Sequence, residues 1–157
     1  NSWGFNITDS GWKTTPQLIG YLVRAAGSNA NLLLNIGPRP DGTIQPEAAQ
    51  HLREVGQWLQ THGTSIYNTR GGPVSPRSWG VTTQRGDTVC VHVLDWRDRL
   101  LAIPIVGTRV SRATMLGSGI AVDFEQTPLG LRLTLPSGGE SEPDRVIVLR
   151  TVNVPQR

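Results

Sequence analysis

The stretch that most constrains this chain is Asn31-Leu32-Leu33-Leu34-Asn35-Ile36-Gly37-Pro38. It is a short apolar run closed by Gly-Pro and followed by Arg39-Pro40-Asp41-Gly42. That length and ending belong to a buried strand running into a tight turn. Polar and apolar residues do not alternate along it, so it predicts a strand covered on both faces, as in a parallel sheet flanked by helices.

Helical patterns stand on either side of it. Thr14-Thr15-Pro16-Gln17 carries a helix start, with Thr as cap, Pro in the first turn and Gln as capping-box partner. Leu18, Leu22 and Ala25 form a stripe at helical spacing, with Ile19 and Ala26 beside it. Gly27 is expected to end the helix in the left-handed conformation. A second helix starts at Pro46, with Glu47 near its positive end. Ala48, Leu52, Val55 and Leu59 form its buried stripe, Trp58 stands next to it, and Gly63 is its cap. Gly56 weakens this helix by about 1 kcal/mol relative to Ala unless close packing requires it. With a strand end read at Asn1 to Phe5, the order is strand, helix, strand, helix, the rhythm of an α/β barrel or open parallel sheet. Two strands close neither, so further strands are expected upstream. The start at Asn1-Ser2-Trp3, with no initiator Met or signal peptide, is read as that of a fragment or a processed chain.

From Trp79 the period changes to two. Thr88 to Leu94 alternates Val with other types, and Arg85-Gly86-Asp87 before it is a hairpin signal. Further strands are expected at Leu100–Ile103, Val110–Leu116, Ile120–Phe124, Leu129–Leu135 and Arg145–Thr151, separated by Gly, Pro, Asp and Ser. Such a series predicts an antiparallel sandwich. Asp95-Trp96-Arg97-Asp98 reads as a hairpin turn, and Ser137 to Pro143 as a polar loop.

Charged residues make up 17% and hydrophobic ones 37%, a globular balance and not a disordered one. No apolar run approaches the ~20 residues of a membrane span, so no membrane partner is expected. The net charge is +3, and 14 of the 15 basic residues are Arg. Arg24, Arg39, Arg53, Arg70, Arg85, Arg112 and Arg132 lie far apart, whereas a nucleic-acid surface shows clusters or a stripe, so no nucleic-acid partner is expected unless they converge on one face. Cys90 is the sole cysteine, which leaves no disulfide framework; inside an apolar run it reads as a small buried hydrophobe. Asn6-Ile7-Thr8 fits a glycosylation sequon.

Several motifs occur together and in order. They are Ser2-Trp3-Gly4-Phe5, Asn31 to Pro38, Asp41-Gly42-Thr43-Ile44, Leu52 to Leu59, and Gly63 to Arg70. This series resembles the end of the catalytic domain in α-L-fucosidases of glycoside hydrolase family 29. The later part is similar by position and by Gly86-Asp87, Val93 to Trp96 and Leu101 to Pro104. Phe5 stands where the family often has Tyr, and Ser28-Asn29-Ala30 where it has a Lys-Asn-Gly-like turn. The resemblance implies an α/β fold followed by all-β: the last strand–helix units of a (β/α)8-like barrel in residues 1–67, a linker at 68–76, and a C-terminal β-sandwich at 77–157. It also implies a retaining fucosidase acting on terminal α-L-fucose of glycans, with nucleophile and acid/base upstream of Ser2-Trp3-Gly4. A non-catalytic carbohydrate-binding or scaffold module is the alternative. No cofactor is implied, a homo-oligomer is left open, and so is the compartment.

A retaining glycosidase needs two carboxyl groups about 5–5.5 Å apart. Asp9 and Asp41 lie in turns, Glu47 at a helix start, Asp95 and Asp98 in a turn, and Asp123 and Glu125 on one face of a strand. None of these is assigned a catalytic role. By resemblance Trp3 lines the fucose pocket against the methyl edge of the sugar; the competing assignment is a core Trp at the barrel end. Asn35 stands near the carboxyl end of its strand, where barrel sites form, or ties down the following loop. His51 and His62 miss the metal spacing of i, i+4 and His92 stands alone on its strand, so no metal site is expected. Gly117-Ser118-Gly119 precedes a strand, not a helix, and makes no phosphate loop. Trp58, Trp79 and Trp96 are read as packing residues.

Overall fold

The computed structural model describes residues 4–96, 98–139 and 141–152 of the chain. Two helices come first, α1 (Thr15–Gly27) and α2 (Pro46–His62), and a 3-10 turn at Gly63–Ser65 ends the second. Eight strands follow: β1 (Arg70–Gly71), β2 (Gly80–Arg85), β3 (Thr88–Val93), β4 (Leu100–Ile103), β5 (Arg109–Met115), β6 (Asp123–Thr127), β7 (Gly130–Thr134) and β8 (Arg145–Val152). They form a five-stranded sheet ordered β1-β2-β3-β8-β5 and a three-stranded sheet ordered β4-β7-β6, with antiparallel pairing throughout.

Local chemistry explains α1. The Thr14 hydroxyl accepts from the Gln17 N–H while the Gln17 side chain accepts from the Thr14 N–H, a complete capping box. At the other end, Ala30 N–H donates to Ala25 C=O and Asn29 N–H to Ala26 C=O, the Schellman pattern. The left-handed residue there is Asn29, at φ 56°, and not Gly27. Gly27 serves close approach instead: a Cβ on it would lie 2.5 Å from the side chain of Val81 on β2. The buried face of α1 is also turned from the expected stripe. Ile19 and Val23, with Trp58 of α2 and Val81, form the cluster that seats the helices on the five-stranded sheet. Each such side chain contributes roughly 1.5–3 kcal/mol on burial.

The expected strand at Asn31–Ile36 is absent. The segment has no ladder partner among the described residues, and Leu33 is 92% exposed. A strand exists only where its N–H and C=O groups find another strand, which no run of leucines supplies by itself. Coverage on both faces occurs in β3 instead. Val89, Val91 and Val93 enter the core between the sheets with Ile147 and Leu149 of β8, Leu101 and Ile103 of β4, and Leu131 and Leu133 of β7. Cys90 and His92 point to the opposite, outer face and are buried as well. Burial pushes the Cys90 thiol up to about 11, so it stays protonated and unreactive at neutral pH.

Arg85-Gly86-Asp87 turns β2 into β3 as expected. Arg97 lies outside the described residues. β3 and β4 do not form the hairpin expected around Asp95-Trp96-Arg97-Asp98, because β3 pairs with β2 and β8 whereas β4 pairs with β7. The expected strand Ile120–Phe124 is divided for the same reason. Ile120 and Val122 bond to the end of β5 in the first sheet, and β6 begins at Asp123 in the second. Within segment 68–76, Arg70–Gly71 pairs with Thr83–Gln84 as the edge of the five-stranded sheet. Asn29 Oδ1 accepts from Gly71 N–H at 2.7 Å, tying the end of α1 to that edge.

Candidate functional site

Two distant stretches meet at one glycine. A Cβ on Gly37 would lie 2.4 Å from the carbonyl carbon of Gly4 and 2.5 Å from the Phe5 nitrogen, so segment 4–5 crosses directly over Gly37. No side chain larger than hydrogen fits there. Beside this crossing lies a cavity of about 460 Å3 between segment 4–13, segment 32–37 and the helices. Trp12 and Tyr21 give it aromatic surface, Leu18 and Leu52 apolar surface, and Asp9 and His51 polar groups.

The loops around it hold themselves by short-range hydrogen bonds. Asn6 Oδ1 accepts from the Thr8 N–H at 3.0 Å and from its hydroxyl at 2.8 Å, so the sequon asparagine is folded into its own turn. Asp9 Oδ1 accepts from Gly11 N–H at 3.2 Å. Asp41 Oδ1 accepts from the Thr43 N–H and hydroxyl, and the backbone bond first of all holds its carboxyl below the ordinary value.

His51 and its neighbours form the seam between the helices. The Thr15 hydroxyl donates to the Glu54 carboxylate, and His51 Nδ1 lies 2.9 Å from the Thr15 oxygen. Gln50 donates to the other Glu54 oxygen at 3.0 Å. The bond from Thr15, then that from Gln50, keep the Glu54 carboxyl below its ordinary value. A carboxylate so stabilised is a poor general acid.

A second cluster has the outline of a catalytic triad without its chemistry. His92 Nδ1 is 2.6 Å from Asp144 Oδ2, and His92 Nε2 is 3.2 Å from the Thr83 hydroxyl. All three are buried to within 1%. The Thr83 hydroxyl spends its proton on Ser65 C=O at 2.7 Å, so it accepts from Nε2–H and has no proton left for that nitrogen to take. The Nδ1–Oδ2 hydrogen bond occupies the other side of the ring. This is a structural tie between the turn after α2, strands β2 and β3, and the residue preceding β8. His92 is therefore not alone, as the sequence suggested; Asp144 is brought to it from far along the chain.

Trp3 lies outside the described residues, though Gly4 beside it lines the cavity. Asn35 lines it too and is exposed. Among the described lining residues Asp9 is the one acid, so no carboxylate pair is assembled there. Asp95, Asp98 and Asp123 are exposed, and Glu125 pairs with Arg132. Among the described residues no three of His, Cys, Asp and Glu stand close enough to hold a metal ion. Sequence reading missed Trp12, Tyr21 and His51 as cavity residues. Their spacing carries no motif, and only the packing of α1 on α2 brings them together.

The sequence model of the alpha-L-fucosidase family matches residues 1–64, the span that contains the Gly4–Gly37 crossing. Alpha-L-fucosidase from Branchiostoma floridae is 36% identical over 74% of this chain and 27% of its own length. Tissue alpha-L-fucosidase from Homo sapiens is 31% identical over 86% of this chain and 31% of its own length. The chain thus spans less than a third of these curated relatives. Alpha-L-fucosidase isoenzyme 1 from Paenibacillus thiaminolyticus superposes with a TM-score of 0.85 at 31% identity, over 96% of this chain and 38% of that one. An alpha-L-fucosidase GH29 from Bacteroides thetaiotaomicron does so at 0.88 and 26% identity, over 100% and 37%. With two distant motifs of that family in contact at Gly37, and relatives that agree in sequence and in backbone, this chain belongs to the α-L-fucosidases of glycoside hydrolase family 29.

Proposed function

We propose that the chain is the C-terminal part of a retaining α-L-fucosidase that removes terminal α-L-fucose from glycans, with both catalytic carboxylates supplied by sequence upstream of Asn1. In this reading residues 1–67 close a (β/α)8-like barrel, 68–76 link, and 77–157 form a β-sandwich. The observation that carries it is the crossing of segment 4–5 over Gly37 beside a cavity with one acid among its described lining residues. A retaining site needs a second carboxyl group. The exposed Leu32, Leu33 and Leu34 favour neighbouring strands on both sides of that segment. A related alpha-L-fucosidase GH29 from Bacteroides thetaiotaomicron, 26% identical with a TM-score of 0.87, has been solved as a trapped covalent intermediate with 2-fluoro-fucosyl fluoride, which supports retention here. Trp3, which the family resemblance assigns to the fucose pocket, is in this reading the substrate-binding aromatic for the apolar edge of the sugar.

The carbohydrate-binding alternative calls for a flat row of exposed Trp. Trp79 is 6% exposed in the core between the sheets, Trp96 packs against that core, and Trp58 is buried against His62. These placements favour a supporting role for the sheets.

The test is hydrolysis of an aryl α-L-fucoside. The chain alone is expected to give no turnover, and the longer polypeptide full turnover. In the longer polypeptide Trp3→Ala is expected to lower kcat/KM by about tenfold or more, the loss of one good apolar contact. Turnover by the pure chain would overturn the assignment of the carboxylates to upstream sequence.

A further inference from the structure

The arginines are scattered in sequence, yet strand pairing gathers four of them. Arg85 of β2 stands opposite Thr88 of β3, Thr88 opposite Arg150 of β8, and Arg150 opposite Arg112 of β5. Residues directly opposite in a ladder put their side chains on one face. Arg85, Arg150 and Arg112 therefore stand in one row across four strands. Arg109 joins them opposite Val152, because the irregularity between Val110 and Arg112 keeps Val110 and Ala113 in the core and leaves Arg109, Ser111 and Arg112 exposed. The row lies on the outer face of the five-stranded sheet, at the end away from the Val81 contact where the helices sit.

All four arginines are exposed. Among the described residues the carboxylate paired with the row is Asp87, which accepts from Arg150 Nη1 at 3.1 Å; the same nitrogen donates to the Thr88 hydroxyl at 2.6 Å. Four strands spaced about 4.8 Å apart make the row roughly 14 Å long. The residues between the guanidinium groups are Thr88, Ser111 and Val152, none of them aromatic.

We propose that this arginine row is a docking strip for an anionic glycan, a polysaccharide carrying sulfate or carboxylate groups along its length. Planar guanidinium forks match the paired oxygens of those groups. A row without aromatic rings offers no stacking platform for bases, which sets it apart from a single-stranded nucleic-acid groove. The choice of a glycan rests on the fucosidase reading. The strip would hold an anionic substrate chain away from the fucose pocket and raise its local concentration.

The probe is immobilised heparin, with unsulfated dextran and single-stranded DNA for comparison. The chain is expected to bind heparin in a salt-dependent way and to ignore dextran. Arg109→Gln/Arg112→Gln, on the edge strand, is expected to bind about tenfold more weakly with an unchanged melting curve. Arg85→Gln provides the same test on a different strand if the double variant does not fold. Arg53→Gln, an exposed position on α2, is expected to bind as the parent. Absence of heparin binding, or equal weakening by Arg53→Gln, would overturn the strip. Tighter binding of DNA than of heparin would overturn the glycan in favour of nucleic acid. Binding needs no turnover, so failure here leaves the fucosidase reading intact, and loss of fucoside hydrolysis leaves the strip intact.

Discussion

Thr83, His92 and Asp144 are sealed beneath the outer face of the five-stranded sheet, while Thr15, His51 and Glu54 join α1 to α2 with the His and Glu side chains 26% and 38% exposed. The two clusters use the same kinds of side chain and much the same hydrogen bonds. Their leverage on the fold is different. In the buried cluster a lost partner leaves a polar group that water cannot reach, and the full desolvation cost appears. At the half-exposed seam water replaces the lost partner. Burial, and not the identity of the residues, decides which cluster holds the molecule together.

The largest expected effect tests that statement directly. Asp144→Ala leaves the imidazole in a dry layer without its partner and is expected to destabilise the chain by about 3–5 kcal/mol, read from urea unfolding. An equal loss from Glu54→Ala would break the comparison. Next comes the contact that brings the helices onto the sheet. Gly27→Ala places a Cβ 2.5 Å from Val81 and is expected to cost about 1–3 kcal/mol. Combining it with Val81→Ala should recover part of that loss, and no recovery would mean that Val81 is not the obstacle. The smallest effect belongs to the seam. Glu54 is held below its ordinary value of 4.5, chiefly by the Thr15 hydroxyl. A depressed carboxylate adds stability above its unfolded value and loses it as pH falls through the folded one. The small stability gap between the parent and Glu54→Gln should thus be full above pH 4.5 and close as the solution is acidified below it. A gap that widens in acid would show that the seam is held by something other than the ionised carboxylate.

Parts of this molecule were legible because the forces are local. The capping box at Thr14 and Gln17, the start of α2 at Pro46, and the turn at Gly86 depend on residues within a few positions of one another, and each is found where the pattern puts it. The alternation of Val89, Val91 and Val93 located β3 for the same reason. Features were misjudged where a distant partner decides the outcome, and two of them show why. Leu32 to Leu34 have the composition of a buried strand, but a strand is a relation between two segments. Gly27 has the look of a helix terminator, but its lack of a Cβ answers Val81, far along the chain.

The candidate site divides along the same line. The motif series around Trp3 and Asn31 to Pro38 marked the region from sequence, since each motif is contiguous. That the motifs touch at Gly37, that Trp12, Tyr21 and His51 share a cavity, that Asp144 completes the contacts of His92, and that four scattered arginines form one row were decided by packing and strand register. A sequence by itself determines what each short segment prefers, because those preferences arise within a turn of helix or a run of strand. Which segments meet is decided only when the whole chain buries its apolar surface and pairs its backbone at once.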